Sequence, residues 1–497
     1  MADSGSEQLR GNGQLIKSLN RSRILECLQQ GEPLSRVELA ARTGISLPAV
    51  VKLVEELEQE GLVVCVGAGP SSGGRRPLLF AYNSRAGYVV GLDVGATKIA
   101  GGILDLEGNI LATETVPTHS TEPSPVHVGE RVKRLVEQLV AQTGVDLTKV
   151  LGIGIGVPGI PDAEGNIGLA PGLHRDQSRT VDDVADERRA LVGSHTAIAD
   201  RGNGQLPGTG HLSPNGHDSH RDQRWADGAY SNQRKSTEMK TGGMGNDGAG
   251  SVQGSNDDEI VALGAYLQAE LGRPVYMDND VNAFLRGEAW KGALQGAKHA
   301  VAVTIGTGIG VALLVNGDVY QGARGSAGEI GYWLIGALGP IARSSGYGPL
   351  ESFAAGPGIA RRYVARLKAR GGSSAVLDLA GGDMRNITAR LVAEGAMLGD
   401  SLALDVWRET AETLGVALAN LCCLMDPEVL VLAGGVSRAP RELLLDPVRR
   451  IVETLVPYPP KIVLSQLKEQ AAILGAAALV LESRRSSISY TTAAIKA

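Results

Sequence analysis

The hexapeptide Asp93-Val-Gly-Ala-Thr-Lys98 lies between two apolar runs, Tyr88 to Val94 and Ile99 to Asp105, and reads as the turn of a β-hairpin. Glycine at such a turn lets backbone N–H groups approach phosphate oxygens, and threonine and lysine add side-chain donors. Asp93, Gly95, Thr97 and Lys98 are therefore candidate nucleotide-phosphate contacts, with Asp93 able to hold a magnesium-bound water. A third strand fits Asn109 to Thr115, a helix Val126 to Gln142, and a further strand Leu151 to Val157. The pattern then repeats. His299 to Tyr320 reads as a second three-strand run with its own turn, Thr304-Ile-Gly-Thr-Gly-Ile-Gly310, which adds Thr307 and Gly308 to the phosphate candidates. Ala433-Gly-Gly-Val-Ser437, after the apolar strand Val429 to Leu432, would let an adenine approach the backbone at Gly434 and Gly435. Each turn alone is an ordinary tight turn; three in this order are not.

Alternating strands and helices imply an α/β body. Two similar halves imply a duplicated, two-lobed actin-like (ribonuclease H-like) ATPase fold with a cleft between lobes. The first lobe is expected over 87–172 and 467–484, where a helix near Ala471 to Leu481 returns to it, and the second over 259–466. Between them, 173–258 is rich in Gly, Asn, Ser, Asp and Arg and poor in aliphatic residues, so it reads as a disordered insertion.

Upstream, 15–82 reads as a winged helix-turn-helix. A first helix fits Asn20 to Gln30, with Ile24, Leu25 and Leu28 inward. Ser35-Arg-Val-Glu38 is a capping box opening a short helix with Val37, Leu39 and Ala40. Thr43-Gly44-Ile45 makes the turn. Ser46 caps a third helix that tolerates Pro48 in its first turn and buries Val50, Leu53, Val54 and Leu57. Gly61 to Val66 and Arg76 to Phe80 read as a two-stranded wing. The third helix is the candidate reader of a major groove, because that groove admits one helix and its early residues meet the bases. Ser46, Leu47, Pro48, Ala49 and Lys52 are its candidate contacts; Arg36, Arg42 and the wing-tip Arg75 and Arg76 are candidate phosphate or minor-groove contacts. The opposing reading is a protein-binding head, favoured by Glu55, Glu56, Glu58 and Glu60 late in the same helix.

The chain has 497 residues, 43% hydrophobic and 21% charged, enough for about three domains and a sizeable core. Its net charge of −6 excludes a basic coat over the whole surface but permits one DNA-binding face. Met1 to Gln14 lacks the apolar core of a signal peptide, and no apolar run approaches the roughly 20 residues of a membrane span. Cys27, Cys65, Cys422 and Cys423 lack zinc-ligand spacing, and all four are expected as reduced core thiols in a cytoplasm.

Met277-Asp-Asn-Asp-Val-Asn282 follows a short strand, Pro274 to Met277. A carboxylate there can take a proton from a sugar hydroxyl attacking a γ-phosphate, with Asp280 as base and Asn279 as hydroxyl partner. A free carboxylate near pKa 4 is a weak base, so positioning would have to supply most of the rate. Alternatively Asp278 or Asp280 merely caps the helix that follows.

On these residues the chain resembles the ROK family of repressors and sugar kinases. The matching motifs are Asp93 to Lys98, Gly154-Ile-Gly-Val-Pro-Gly159, Asn279-Asp280, Gly328-Glu-Ile-Gly331 and Gly434-Gly435. The head, with Ser72-Gly-Gly-Arg-Arg-Pro77, is similar to that of the family's transcriptional regulators; free-standing kinases of the family lack it. The resemblance implies sugar contacts at Gly159, Asn279, Asp280, Glu329, Tyr332 and Glu351. It also marks departures. The family's zinc-binding histidine is Tyr332 here, and its three zinc-site cysteines are Ala342, Ser344 and Pro349. No thiolate or imidazole remains, so a zinc of the family type is not expected. An asparagine often found after Ala-Pro in the family is Gly172.

The resulting expectation is a sugar-responsive transcriptional regulator, a repressor acting as a homodimer or higher homo-oligomer on operator DNA, with no membrane partner. The competing expectation is a sugar kinase, using ATP and magnesium, that carries a regulatory head. A silent body whose head binds protein ranks third.

Overall fold

Residues 4–70, 76–118, 125–161, 263–334 and 348–493 are described by the computed structural model. In the head, α1 (Ser4–Gln29) is followed by β1 (Leu34–Ser35), α2 (Arg36–Thr43), α3 (Leu47–Gln59), β2 (Val63–Ala68) and β3 (Leu78–Tyr82). The capping box forms: the Glu38 N–H donates to Ser35 Oγ at 3.3 Å, and the Ser35 N–H donates to Glu38 Oε2 at 2.8 Å. Gly44, at φ 70°, ends α2 in the left-handed conformation that glycine adopts without strain. Ile24, Leu28, Leu39, Val50, Leu53, Val54, Leu57 and Phe80 form one core.

Five expectations for the head and its thiols are corrected. The first helix begins at Ser4 rather than Asn20, through a polar segment with no apolar stripe to announce it. Ser46 occupies the cap position of α3 but its side chain makes no capping hydrogen bond. Val37 is 63% exposed, and the wing has a third strand because β1 pairs with β3 in the order β1-β3-β2. Two residues are too few for an alternation signal. Of the cysteines only Cys422 is buried; Cys65 and Cys423 are exposed.

The body holds two five-stranded sheets of identical topology. The first comprises β4 (Tyr88–Val94), β5 (Lys98–Asp105), β6 (Ile110–Pro117), β7 (Val150–Val157) and β8 (Val275–Asn279), in the order β6-β5-β4-β7-β8. With it go α4 (Pro125–Thr143), α5 (Leu263–Leu271) and α6 (Asp280–Lys291). The second comprises β9 (Ala300–Ile305), β10 (Ile309–Val315), β11 (Asp318–Val319), β12 (Val429–Ala433) and β13 (Lys461–Leu464), in the order β11-β10-β9-β12-β13. Around it lie α7 (Pro349–Ala354), α8 (Gly356–Arg370), α9 (Ala375–Leu379), α10 (Ala389–Met397), α11 (Ser401–Met425) and α12 (Leu445–Leu455), before the final helix α13 (Gln470–Ala493). In each sheet three strands run as an antiparallel meander and the next two pair parallel to its first strand and to each other.

The lobe boundary expected at 259 shifts. β8 pairs with β7, Ile155 opposite Met277, and α5 packs beside α4, so 263–279 completes the first sheet. α6 then lies between the lobes, with Val281, Phe284 and Leu285 packed on Ala302, Leu314 and Val431 of the second sheet. The insertion expected at 173–258 lies outside the described residues, as do Arg75, Gly172, Ala342 and Ser344. No helix among the described residues is long and apolar enough to cross a membrane.

α13 packs on β4 and β7 of the first sheet, and glycines set how closely. A Cβ on Gly91 of β4 would lie 2.0 Å from the Ile473 carbonyl oxygen, and one on Gly154 of β7 1.7 Å from that of Ala476. On α6, a Cβ on Gly287 would lie 1.9 Å from the Ala471 oxygen; on α13, one on Gly475 would lie 1.6 Å from the Ala283 oxygen. These neighbours are backbone and have no rotamer to yield, so one methyl must displace a whole helix. Gly154→Ala and Gly475→Ala should each destabilise the body by about 3 kcal/mol or more in urea melts. Gly435→Ala, with nothing within 4 Å, should leave the midpoint nearly unchanged.

Candidate functional site

The end of β8 and the start of α6 carry three of the candidate residues, Asp278, Asn279 and Asp280. Asn279, not Asp278 or Asp280, caps α6: its Oδ1 accepts the N–H groups of Val281 and Asn282 at 2.9 and 3.3 Å. Its Nδ2 donates to the Gly159 carbonyl at 3.0 Å, joining two expected sugar contacts. Asp278 is buried and fully engaged, accepting from the Asn279 N–H (2.7 Å), Asn282 Nδ2 (2.9 Å), Arg286 Nη1 (2.6 Å) and Gln321 Nε2 (3.1 Å). Asp280 Oδ1 accepts the Val281 N–H at 2.9 Å.

Four carboxylates share this space. Burial, reinforced by the charges of Asp93 and Glu329, pushes Asp280 up to about 7. Burial pushes Asp93 up to about 6, against the pull of Lys98. Glu329 is raised by burial, and Glu351 is raised by burial and by Glu329, partly offset by the Ile309 N–H that donates to it at 2.8 Å. Asp280 is therefore not the weak base of an unperturbed aspartate; its proton affinity suits general base work near neutrality. Tyr332, by contrast, is 53% exposed at the end of a short turn.

The phosphate candidates fall into two groups. In the first hairpin the Gly95 N–H donates to the Lys98 carbonyl at 2.9 Å, closing the turn. Lys98 Nζ is paired with Glu469 at 2.8 Å, a partner the sequence did not reveal. In the second, Thr307 is exposed at the tip, and a Cβ on Gly308 would lie 2.7 Å from Glu351 Oε2, so this turn is seated on the Glu351 carboxylate. Gly434, at φ 90°, runs under the same hairpin, where a Cβ would lie 2.4 Å from the Ile305 oxygen. Gly435 is exposed beside it.

In the head, Ser46, Leu47, Pro48 and Lys52 are exposed and Ala49 is partly covered. Arg42 and Arg76 are exposed as well. Arg36 is different. Its half-buried guanidinium lies 4.7 Å from the Phe80 ring centroid and 3.5 Å from Glu55, so it has partners within the head. The acidic residues late in α3 are likewise engaged: Glu56 pairs with Lys17 at 2.8 Å and Glu60 with Arg21. They dock α1 and leave the early turns of α3 uncovered.

A family model described as the ROK family matches residues 89–188 and 253–483, and one described as winged helix-turn-helix DNA-binding matches 18–64. This chain belongs to the ROK family. It is similar to the xylose repressor of Caldicellulosiruptor bescii, at 25% identity over 95% of this chain and 97% of the relative. It is also similar to a glucokinase of Thermotoga maritima, at 35% identity over 45% of this chain and 70% of that enzyme. Among solved structures, a ROK family transcriptional regulator, a homolog of the E. coli MLC protein, matches 97% of this chain and 100% of its own with a TM-score of 0.67 at 20% identity, a likeness of fold.

Within this ROK chain the residues at two positions of the family's zinc segment, Tyr332 and Pro349, carry no group that binds zinc. The described end of the segment, 348–351, is held by packing. Pro349 starts α7 at a position where its missing N–H costs nothing and its fixed φ favours the helix. Gly348 lies against the backbone of the 328–332 turn, where a Cβ would be 2.1 Å from the Gly331 oxygen. Leu350 is fully buried, and Glu351 closes onto Ile309. Sequence reading found Glu351 but not Gln321 or Arg286, whose roles depend on contacts across loops and helices with no local pattern.

A carboxylate whose folded pKa is raised favours the protonated protein, so its stability contribution is complete below about pH 4 and lost as pH rises through 7. Asp280→Asn removes that loss. The variant should exceed wild type by about 4 kcal/mol at pH 8, with the difference vanishing near pH 4, in paired urea melts.

Proposed function

We propose that this ROK protein is a sugar-responsive, DNA-binding transcriptional repressor that senses a monosaccharide-sized ligand in its interlobe cleft. The observation that carries the reading is the coexistence, in one chain, of an uncovered early α3 and a carboxylate-lined cleft. Asn279, Asp280, Glu329 and Glu351 accept or share hydrogen bonds with sugar hydroxyls, and Gly159 closes the wall through Asn279. Asp280, pushed up to about 7, is partly protonated near neutrality and can donate as well as accept, which suits a neutral polyol. Lys52 and Arg76 meet operator DNA, with Leu47, Pro48 and Ala49 offering apolar contact to thymine methyls. A homodimer would present two heads to a palindrome, with half-sites one helical turn or a multiple apart. Contact with operator DNA places the protein in the cytoplasm.

A second reading, an ATP-dependent sugar kinase with a regulatory head, draws on the raised proton affinity of Asp280 and the two Gly/Thr hairpins. Asp280 would take the proton of the attacking hydroxyl, and Asp93 and Thr307 would flank the phosphates. The Lys98–Glu469 pair weighs against it, because the lysine's charge is already matched. Magnesium, if ATP binds, would serve charge neutralisation on the phosphates.

Selection of bound fragments from genomic DNA, followed by anisotropy titrations with a sugar panel, tests the first reading. One sugar should shift operator affinity by about tenfold or more, and Glu351→Ala should abolish the shift. Arg76→Ala should weaken all sequences alike and lower the salt slope by about one. DNA binding without sequence preference at any salt would overturn the regulator, and sugar-dependent ADP release lost in Asp280→Asn would install the kinase.

A further inference from the structure

Along the C-terminal half of α6 lies a cavity of about 310 Å³. Its walls come from the head (Gln29), α6 (Trp290, Lys291), β11 (Asp318) and α13 (Leu481, Glu482). Between cleft and cavity stands Arg286. Its Nη1 donates to Asp278 Oδ2 at 2.6 Å and its Nε to Glu482 Oε2 at 2.9 Å, with only 10% of the side chain exposed.

We propose that Asp278, Arg286 and Glu482 form a bridge that carries the state of the sugar cleft to α13 and, through it, to the first helix of the DNA-binding head. The sugar arm of this inference rests on the regulator reading above. Three observations support it. Asp278 stands two residues from Asp280, and its Oδ2 is shared between Arg286 and Gln321 of the second lobe. Gln321 begins the segment that runs through Gly322, Gly325 and Gly328, all at positive φ, to Glu329. A ligand drawing on Glu329 therefore pulls the segment holding Gln321, and the share of Asp278 left to Arg286 changes. A guanidinium so little exposed cannot turn to water instead, and its other partner is Glu482 on α13. At the far end α1 packs against α13, and its last residue, Gln29, shares the cavity wall with Glu482. The cavity gives that contact room to rearrange.

The sites coupled are thus the cleft and the head, and Arg286 is a positioning residue that touches neither ligand. The test uses the full chain with Arg286→Met, Arg286→Lys and, as a change confined to the half-exposed α13 end, Glu482→Gln. Hydrogen exchange should rise about tenfold at the capped Val281 and Asn282 amides and at the end of α1 in Arg286→Met, and less in the other two. The ratio of operator affinities with and without the effector sugar should fall about fivefold toward unity while sugar affinity changes less than about threefold. An unchanged ratio, or sugar affinity lost in parallel with it, would overturn the bridge. Should no sugar alter operator binding by the wild-type protein, the regulator reading fails by itself. The exchange arm then decides alone: protection unchanged at the end of α1 overturns the bridge, and increased exchange there supports it.

Discussion

Backbone contact between α13 and the first sheet governs the rest of this fold. Helix and strand meet at Gly91 and Gly154 with no side chain between them, and α6 meets α13 the same way at Gly287 and Gly475. Close approach of this kind maximises dispersion contact and permits no sliding, because carbonyl oxygens lie where a Cβ would be. Its consequence is positional. α6 is fixed at both ends of its contact with α13, so its N-terminus, with Asn279 and Asp280, is fixed with it. The same helix packs its other face on the second sheet and so becomes the common axis of both lobes.

The cleft built on that axis is electrostatically costly. A helix N-terminus favours an anion, and Asp280 stands at one. Burial and the neighbouring charges of Asp93 and Glu329 nonetheless prevail, and the net effect is a raised proton affinity. Such a site is destabilised when empty at neutral pH and gains from any ligand that supplies hydroxyl donors. The chain at 348–351 is held by conformational restriction: a proline to start α7, a glycine pressed on the 328–332 turn and a carboxylate closing on a backbone N–H. Glu351 keeps its place by these means.

Much of this was legible in the sequence because local physics fixed it. The capping box at Ser35 and Glu38, the buried stripe of α3 and both Gly/Thr hairpins follow from short-range rules that tertiary structure did not override. The repeated meander-and-parallel pattern gave the two-lobed body. What escaped reading depended on distant partners. β1 is too short to alternate, and β8 joins the first sheet although its helix faces the second. Lys98 finds Glu469 across hundreds of residues, and Arg36 looked like a phosphate contact until Phe80 and Glu55 claimed it. Charge type is visible in a sequence; charge availability is a property of the fold.

That distinction settles the objection raised by the acidic tail of α3. Read as a string, Glu55, Glu56, Glu58 and Glu60 would repel a phosphate backbone. In the folded head, Glu55, Glu56 and Glu60 are spent on Arg36, Lys17 and Arg21, so the late turns of α3 serve as the docking face for α1. Such pairs contribute little stability each and are screened by salt, yet they neutralise locally and orient the helix. The early turns then carry Leu47, Pro48, Ala49 and the exposed Lys52 with no acidic neighbour in the first turn. If these turns meet the major groove as proposed, a face this poor in donors cannot draw its affinity from many base-specific hydrogen bonds. Phosphate contacts, thymine methyls and the deformability of the duplex must supply it. The head is thereby suited to regulation, since an affinity resting on few contacts is one that a modest shift at α1 can abolish.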